Sequence, residues 1–311
     1  MEATFRSTRR FDLDWLRFLA VLLLVPFHAA LVFVRDPADI SYVKDQQESA
    51  VLKTAVDLVY QFHMPLLFFI AGAGTWFGLG ARGVGAYVRE RVLRLLVPYF
   101  FGTAVLVPPM LYVQFLWKPG YVDRFRSFWE YYPQYFRVTG DLSGYAGTYT
   151  PGHLWFVLFL FCFSVAALLL LLFLRSPVAG SWVAGAAAFA SRPGAIFLPS
   201  LPILLSMALP SIGGKNPAYY LIFFLLGNVA MAHPSFREEI ERRAPRALLV
   251  AILCAPALVG WLWPLGRRVA PFTWQSTGVG LVMSLSTWCW VLGLAGLGSA
   301  HLRRGGAHWT T

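Results

Sequence analysis

The chain has 311 residues, of which 58% are hydrophobic and 13% charged, and its mean hydropathy is +0.59. Soluble domains usually carry about 25% charged residues, so a large soluble core does not explain this composition. The formal charge of +11 does not indicate a nucleic-acid partner, because the basic residues flank apolar runs and form no patch interleaved with aromatic residues. The composition therefore predicts a chain embedded in the lipid bilayer.

The apolar runs are continuous and do not alternate, which predicts an all-α, polytopic transmembrane helical bundle. About eight segments are predicted, at 14–34, 55–79, 95–116, 153–174, 195–211, 217–232, 247–265 and 274–298. The fifth is the least regular because it contains several prolines. An even number of spans puts both termini on one side. The larger share of Lys and Arg falls on that side too, which predicts cytoplasmic termini.

The first segment contains polar residues that a lipid-facing helix would avoid. On an α-helix Arg17 and His28 lie almost on one line, about 16 Å apart along the axis, and Asp14 falls about 40° from alignment with His28. Pro26 frees a backbone carbonyl beside this stripe. Such a stripe is expected to face a protein-lined cavity, where His28 is the natural general base. A structural hydrogen bond to a neighbouring helix is the alternative role for His28.

Two further histidines are predicted to lie in the same half of the membrane. His63 precedes Pro65 in the second segment, and His153 stands at the mouth of the fourth, followed by Trp155. His63, His153 and Trp155 are candidates for the substrate side, although structural hydrogen bonding would also explain either histidine. No metal site is predicted, because no spacing of the HExxH type accompanies them.

An arginine pair follows the second segment. Arg91 and Arg94 are three residues apart and so share a helix face, where guanidinium groups can clamp phosphates. Ordinary positive flanking of a membrane helix is the alternative.

The longest outer connection, 118–152, is rich in aromatic residues, among them Trp129, Tyr131, Tyr132, Tyr135 and Phe136. These residues predict either an interfacial aromatic belt or a platform on which sugar rings stack.

Together these stretches resemble the acyltransferase 3 family of integral-membrane acyltransferases, with some likeness to its glucan-modifying, succinyltransferase-like branch. The matching stretches are LDWLRFLAVLLLVPFH (13–28), FHMPLLFFIAGAG (62–74), RERVLRLLVPYFFG (89–102), GHLWFVLFLF (152–161) and NPAYYLIFFLLGNVA (216–230).

The resemblance implies a single membrane acyltransferase domain over 1–311 in a bacterial inner membrane, acting on acyl-CoA and a hydroxylated acceptor such as a periplasmic or cell-surface glycan. No tightly bound cofactor is implied. The family's first-helix arginine and histidine correspond to Arg17 and His28, and its arginine pair to Arg91 and Arg94. Asp14 would orient Arg17 or cap the helix. His28 would act as a base or carry the acyl group covalently.

Two other functions stay open at the level of sequence. A transporter or flippase could use the same histidine-lined cavity to pass a solute. An inactive remnant is the third possibility, because the polar ending SAHLRRGGAHWTT resembles no late family helix, which predicts that the family's last helices are missing.

Overall fold

A computed structural model describes residues 10–34, 43–81, 83–117, 125–139, 142, 147–266 and 268–302. The polar ending at 303–311 and parts of the aromatic connection, at 118–124, 140–141 and 143–146, lie outside the described residues. Within them the chain is helical and contains no β-strand.

The helices are α1 (Phe11–Leu31), α2 (Ala50–Tyr60), α3 (His63–Gly80), α4 (Val84–Leu116), α5 (Phe128–Tyr135), α6 (Trp155–Ala166), α7 (Leu168–Leu174), α8 (Pro177–Ala190), α9 (Ser200–Ser206), α10 (Pro217–Ala232), α11 (Pro234–Leu262), α12 (Trp263–Gly266) and α13 (Trp274–His301). Short 3₁₀ turns at Gly152–Leu154 and Ala195–Phe197 precede α6 and α9. Helix α4 widens into π-helical turns at Val92–Leu96 and Gly102–Leu106, and α11 ends in one at Leu258–Leu262.

The prediction of a multi-pass helical membrane protein is confirmed. In the described part of the chain, five helical stretches are long and apolar enough to cross a membrane, or seven if each of two bent pairs forms one span. They are α1, α2 with α3, α4, α11 and α13, and the bent pairs α6 with α7 and α8 with α9. The 16-residue helix α10 is shorter. The count of eight spans stays a prediction.

The fifth predicted segment differs from the structure. No single helix covers 195–211; instead α8 and the helical stretch Ala195–Ser206 meet at an angle of 109°. Gly194, with φ +81°, adopts a left-handed conformation at the bend, just before the 3₁₀ turn that begins the second stretch. Helix α8 lies in the interval between the fourth and fifth predicted segments and was not predicted from the sequence.

The core is centred on α3, whose side chains contact α1, α10 and α13. Phe68 and Phe69 are fully buried and pack with Phe223, Phe224 and Trp288 in one cluster. Helices α3 and α10 approach closely because glycine stands at the crossing. A Cβ at Gly72 would overlap the carbonyl of Phe224, and one at Gly227 would overlap the carbonyl of Phe69. This contact fixes the helix that carries His63.

The aromatic connection folds back on α4. Tyr131 and Tyr135 are fully buried against Val107, Leu111 and Phe115. The Tyr135 hydroxyl donates to the carbonyl oxygen of Thr150 at 2.8 Å, and burial raises the pKa of Tyr135 so that this hydroxyl stays protonated. The two tyrosines therefore belong neither to a belt nor to an open sugar platform.

Trp129 and Phe136 remain exposed and are compatible with either role that the sequence left open. Tyr132 is half-buried, and its hydroxyl donates to the carbonyl oxygen of Ala104 at 3.1 Å. That bond ties α5 to the second π-helical turn of α4.

Candidate functional site

A cavity of about 680 Å³ lies between α1, α3, α4 and the start of α6. The residues that line it include Arg17, His28, His63, Arg91, Arg94, His153 and Trp155. These seven are the candidate site residues named from the sequence, apart from Asp14. The arginine end of the cavity is defined by Arg17, Glu90, Arg91 and Arg94, and the histidine end by His28, His63 and His153.

Helix α1 connects the two ends. Arg17 and His28 both line the cavity, as their three-turn spacing predicts, and are separated by about 16 Å of helix. Asp14 does not belong to the wall; its side chain is exposed outside the cavity. Asp14 lies one turn before Arg17 on the helix and about 40° from the line of His28, and this position is beyond the end of the cavity. Glu90, on α4, is the acidic residue that lines the arginine end among the described residues.

The hydrogen bond of His28 identifies its tautomer. Its Nδ1 lies 2.7 Å from the carbonyl oxygen of Leu24, and a carbonyl can only accept, so Nδ1 carries the proton. In the neutral ring Nε2 then holds the lone pair. The bond uses the carbonyl of Leu24 and not that of Leu22, which Pro26 leaves without its helical partner. Nε2 is therefore the ring nitrogen that can accept a proton, on a residue that lines the cavity.

His153 lies directly beside His28. The two rings meet edge-on with their centroids 4.9 Å apart, and both line the cavity. His153 stands in the 3₁₀ turn that begins at Gly152, where φ is +52°. The next residue but one, Trp155, lies under the ammonium group of Lys215, whose Nζ is 5.5 Å from a Trp155 ring centroid.

His63 has a structural bond as well as a place in the wall. It is buried at the first position of α3, and its Nε2 lies 2.9 Å from the carbonyl oxygen of Ala20. Its ring stacks on Phe27, with centroids 6.0 Å apart. The bond joins α3 to α1. It is the structural hydrogen bond that the sequence analysis gave as the alternative role of His63.

The two arginines of the predicted pair have different surroundings. Arg91 is half-buried: its guanidinium lies over the ring of Tyr87 at 4.8 Å and donates to the hydroxyl of Thr75 at 3.3 Å. The side chain of Arg94, carried on a π-helical turn, is 74% exposed and forms an ion pair with Glu90 at 3.1 Å. Arg91 is therefore held in place by two contacts, whereas the exposed side chain of Arg94 has room to move when a ligand binds.

Glycines on α3 make room for the guanidinium groups. A Cβ at Gly74 would lie 3.0 Å from a terminal nitrogen of Arg17, and one at Gly78, one turn later, 3.8 Å from a terminal nitrogen of Arg91. A larger residue at position 74 would crowd the Arg17 guanidinium, whereas a Cβ at Gly78 would be in ordinary van der Waals contact with Arg91. Gly74 therefore sets how closely the charge of Arg17 approaches α3.

Sequence reasoning missed Lys215, Tyr60 and Tyr220, which also line the cavity. Lys215 closes a tight turn with Ile212, and Gly213 and Gly214 between them have φ values of +57° and +74°. The Gly-Gly pair between two apolar segments was the available signal for that turn. No sequence signal places the two tyrosines in the wall. Across the described residues, no three His, Cys, Asp or Glu side chains are grouped so as to hold a metal ion.

Comparison with known proteins identifies the family of this chain. A family model described as an acyltransferase domain matches residues 10–310, nearly the whole chain. No curated protein and no solved structure matches the chain. Because the match covers far more than half of its length, the chain belongs to the acyltransferase 3 family of membrane acyltransferases.

Proposed function

We propose that the protein transfers an acetyl, succinyl or similar acyl group from cytoplasmic acyl-CoA to a hydroxyl of a periplasmic or cell-surface glycan. The observation that carries the proposal is the single cavity that joins three arginines to three histidines. In acyl-CoA the phosphates and the thioester lie at opposite ends of a flexible arm. The phosphates would match the arginine end of the cavity, and the thioester would match the histidine end. A glucan acceptor would agree with the branch that the sequence resembles.

At the arginine end, Arg17, Arg91 and Arg94 would hold the phosphates of CoA through bidentate guanidinium contacts. The pantetheine arm would run beside α1 towards the histidine end. The ion pair with Glu90 would keep Arg94 near the opening until the phosphates replace the carboxylate.

At the histidine end, Nε2 of His28 would take the proton of the acceptor hydroxyl while the hydroxyl oxygen attacks the thioester carbonyl. The carbon–sulfur bond breaks as the ester bond forms, and the imidazolium returns its proton to the departing thiolate. An acyl group carried first on His28 and then passed to the hydroxyl is the second route.

We further propose that the protein lies in a bacterial inner membrane with both termini in the cytoplasm. The start of α1 and the end of α13 lie on one side of the bundle, since a Cβ at Gly298 would meet the side chain of Leu16. Arg17 lies near that end of α1, so with cytoplasmic termini the arginine end would face the side from which CoA arrives.

The test uses purified protein in sealed proteoliposomes, with acetyl- or succinyl-CoA labelled in the acyl group and a mixture of neutral glycans. We expect label in the glycan and release of one CoA thiol for each acyl group transferred. Movement of glycan across the membrane without release of thiol would replace the proposal with a transporter.

A further inference from the structure

A second cavity, of about 330 Å³, adjoins the histidine end. Tyr60 and Tyr220 line both cavities and so form the wall between them. The remaining lining comes from Gln61 just after α2, the segment between α9 and α10, the first turn of α10, the π-helical end of α11, and α13. Ser211 and Gly214 in that turn are exposed, so the second cavity opens to the outside there. It thus has an entrance that is separate from the arginine end.

The lining of the second cavity is polar but carries no charge among the described residues. Its polar side chains are Tyr60, Gln61, Ser211, Asn216, Tyr219, Tyr220 and Thr287. Methionine and leucine side chains supply the apolar part, at Met207, Leu258 and Met283. Hydroxyl and amide groups beside aromatic rings suit an uncharged ring that bears many hydroxyls, whereas a phosphate or carboxylate would find no counter-charge.

Gln61 lines this cavity and carries a buried amide donor. Only 7% of the residue is exposed, and its amide oxygen accepts bonds from the hydroxyl of Ser286 and the indole nitrogen of Trp290, both at 3.3 Å. An indole nitrogen only donates, so these contacts fix which end of the amide is oxygen. Nε2 is buried and has no partner among the described residues. A buried amide donor of this kind is costly unless a ligand satisfies it.

The other polar groups hold the cavity in shape. The side-chain amide of Asn216 donates to the carbonyls of Ser206 and Leu209, and its oxygen caps the start of α10. Tyr219 and Thr287 line the cavity from α10 and α13. The lining around the cavity is therefore preformed.

We infer that the second cavity binds a neutral sugar ring of the acceptor and that its reacting hydroxyl reaches His28 and His153 between Tyr60 and Tyr220. This inference rests on the proposed function, because it assigns a place to the acceptor of that reaction. Tyr220 packs on Trp155 at a centroid distance of 5.0 Å, and Tyr60 meets Phe27 edge-on at the same distance. A passage between the two tyrosines would therefore lead towards α1 and α6, where the histidines stand. Donor and acceptor would enter from different sides and meet at the histidine end.

The experiment compares wild type with Ser211→Trp, in which an indole fills the second cavity from its exposed rim. The control is Ile212→Trp, an exposed neighbour in the same turn that lines neither cavity. The proteins are placed in lipid nanodiscs, since sugar-based detergents would compete for the site. Binding is measured on an array of neutral and acidic glycans, and binding of acetyl-CoA is measured separately.

We expect wild type and Ile212→Trp to bind neutral glycans equally, and Ser211→Trp to bind them at least ten times more weakly with donor binding unchanged. Gln61→Leu should weaken glycan binding about fivefold, as for one neutral hydrogen bond. Equal glycan binding by Ser211→Trp, or binding of wild type to acidic glycans alone or to none, would overturn the inference. Loss of glycan binding in Ser211→Trp together with no donor binding in any protein would instead remove the proposed function and leave the sugar site standing.

Discussion

The rings of His28 and His153 meet edge-on, 4.9 Å apart, although 125 residues separate them in the chain. One stands on α1 and the other in the 3₁₀ turn before α6. Their meeting closes the histidine end of the cavity. The bond from Nδ1 of His28 to Leu24 then decides which ring nitrogen can accept a proton there.

Replacing His28 with alanine removes the proposed base. We expect transfer from acyl-CoA to fall by a factor of about 10² to 10⁴, the usual contribution of a positioned general base, with acyl-CoA binding unchanged. The control is His301→Ala, since His301 is exposed at the end of α13 and lines neither cavity. Steady-state transfer and equilibrium donor binding are measured on the same preparation. A His28→Ala protein that transfers at the wild-type rate would rule out both the base and the acyl-histidine route.

The arginine pair should divide its work unequally. Arg91 is fixed by Tyr87 and Thr75, so Arg91→Ala removes an organised phosphate contact, and we expect KM for acyl-CoA to rise at least tenfold. Arg94→Ala should raise KM for acyl-CoA about threefold and make this KM less sensitive to salt. The side chain of Arg94 is exposed, so salt screens its attraction for the phosphates. Arg89, exposed and outside the cavity, serves as the control. Equal effects at positions 89 and 91 would mean that general positive charge, and not a phosphate site, attracts the donor.

The sequence identified most of the polar residues of the cavity, but only the geometry of a single helix could place two of them in one wall. Arg17 and His28 could be placed in one wall because 100° per residue fixes their alignment whatever surrounds them. Asp14 was wrongly included in that wall, since alignment to within about 40° does not say where the cavity ends. Tyr60, Tyr220 and Lys215 come to the site through packing between distant elements, which periodicity cannot show. Tyr131 and Tyr135 were assigned to a surface because a run of aromatic residues does not reveal that α5 folds onto α4.

Gly74 tests whether the position of Arg17 matters. A Cβ there would lie 3.0 Å from the Arg17 guanidinium, so Gly74→Val should displace that group while leaving the helix intact. We expect KM for acyl-CoA to rise and the melting temperature to change little, because the displaced atoms are the far end of an exposed side chain. Gly85→Val on α4 is the matched control, since a Cβ at Gly85 meets nothing within 4 Å. An unchanged KM in Gly74→Val would show that Arg17 does not contact the donor.

The crossing of α3 and α10 should tolerate no added methyl group. A Cβ at Gly227 would overlap the backbone carbonyl of Phe69, and backbone cannot move aside as a flexible side chain can. We expect Gly227→Ala to cost about 1–3 kcal/mol, as overpacking usually does, and to lower the melting temperature in nanodiscs. Gly185→Ala on α8 is the matched control: its Cβ meets open space, so it should be neutral or stabilise by about 0.5–1 kcal/mol. If Gly227→Ala melts no lower than Gly185→Ala, the two helices do not cross in backbone contact. The placement of His63 beside α1 would then need another cause.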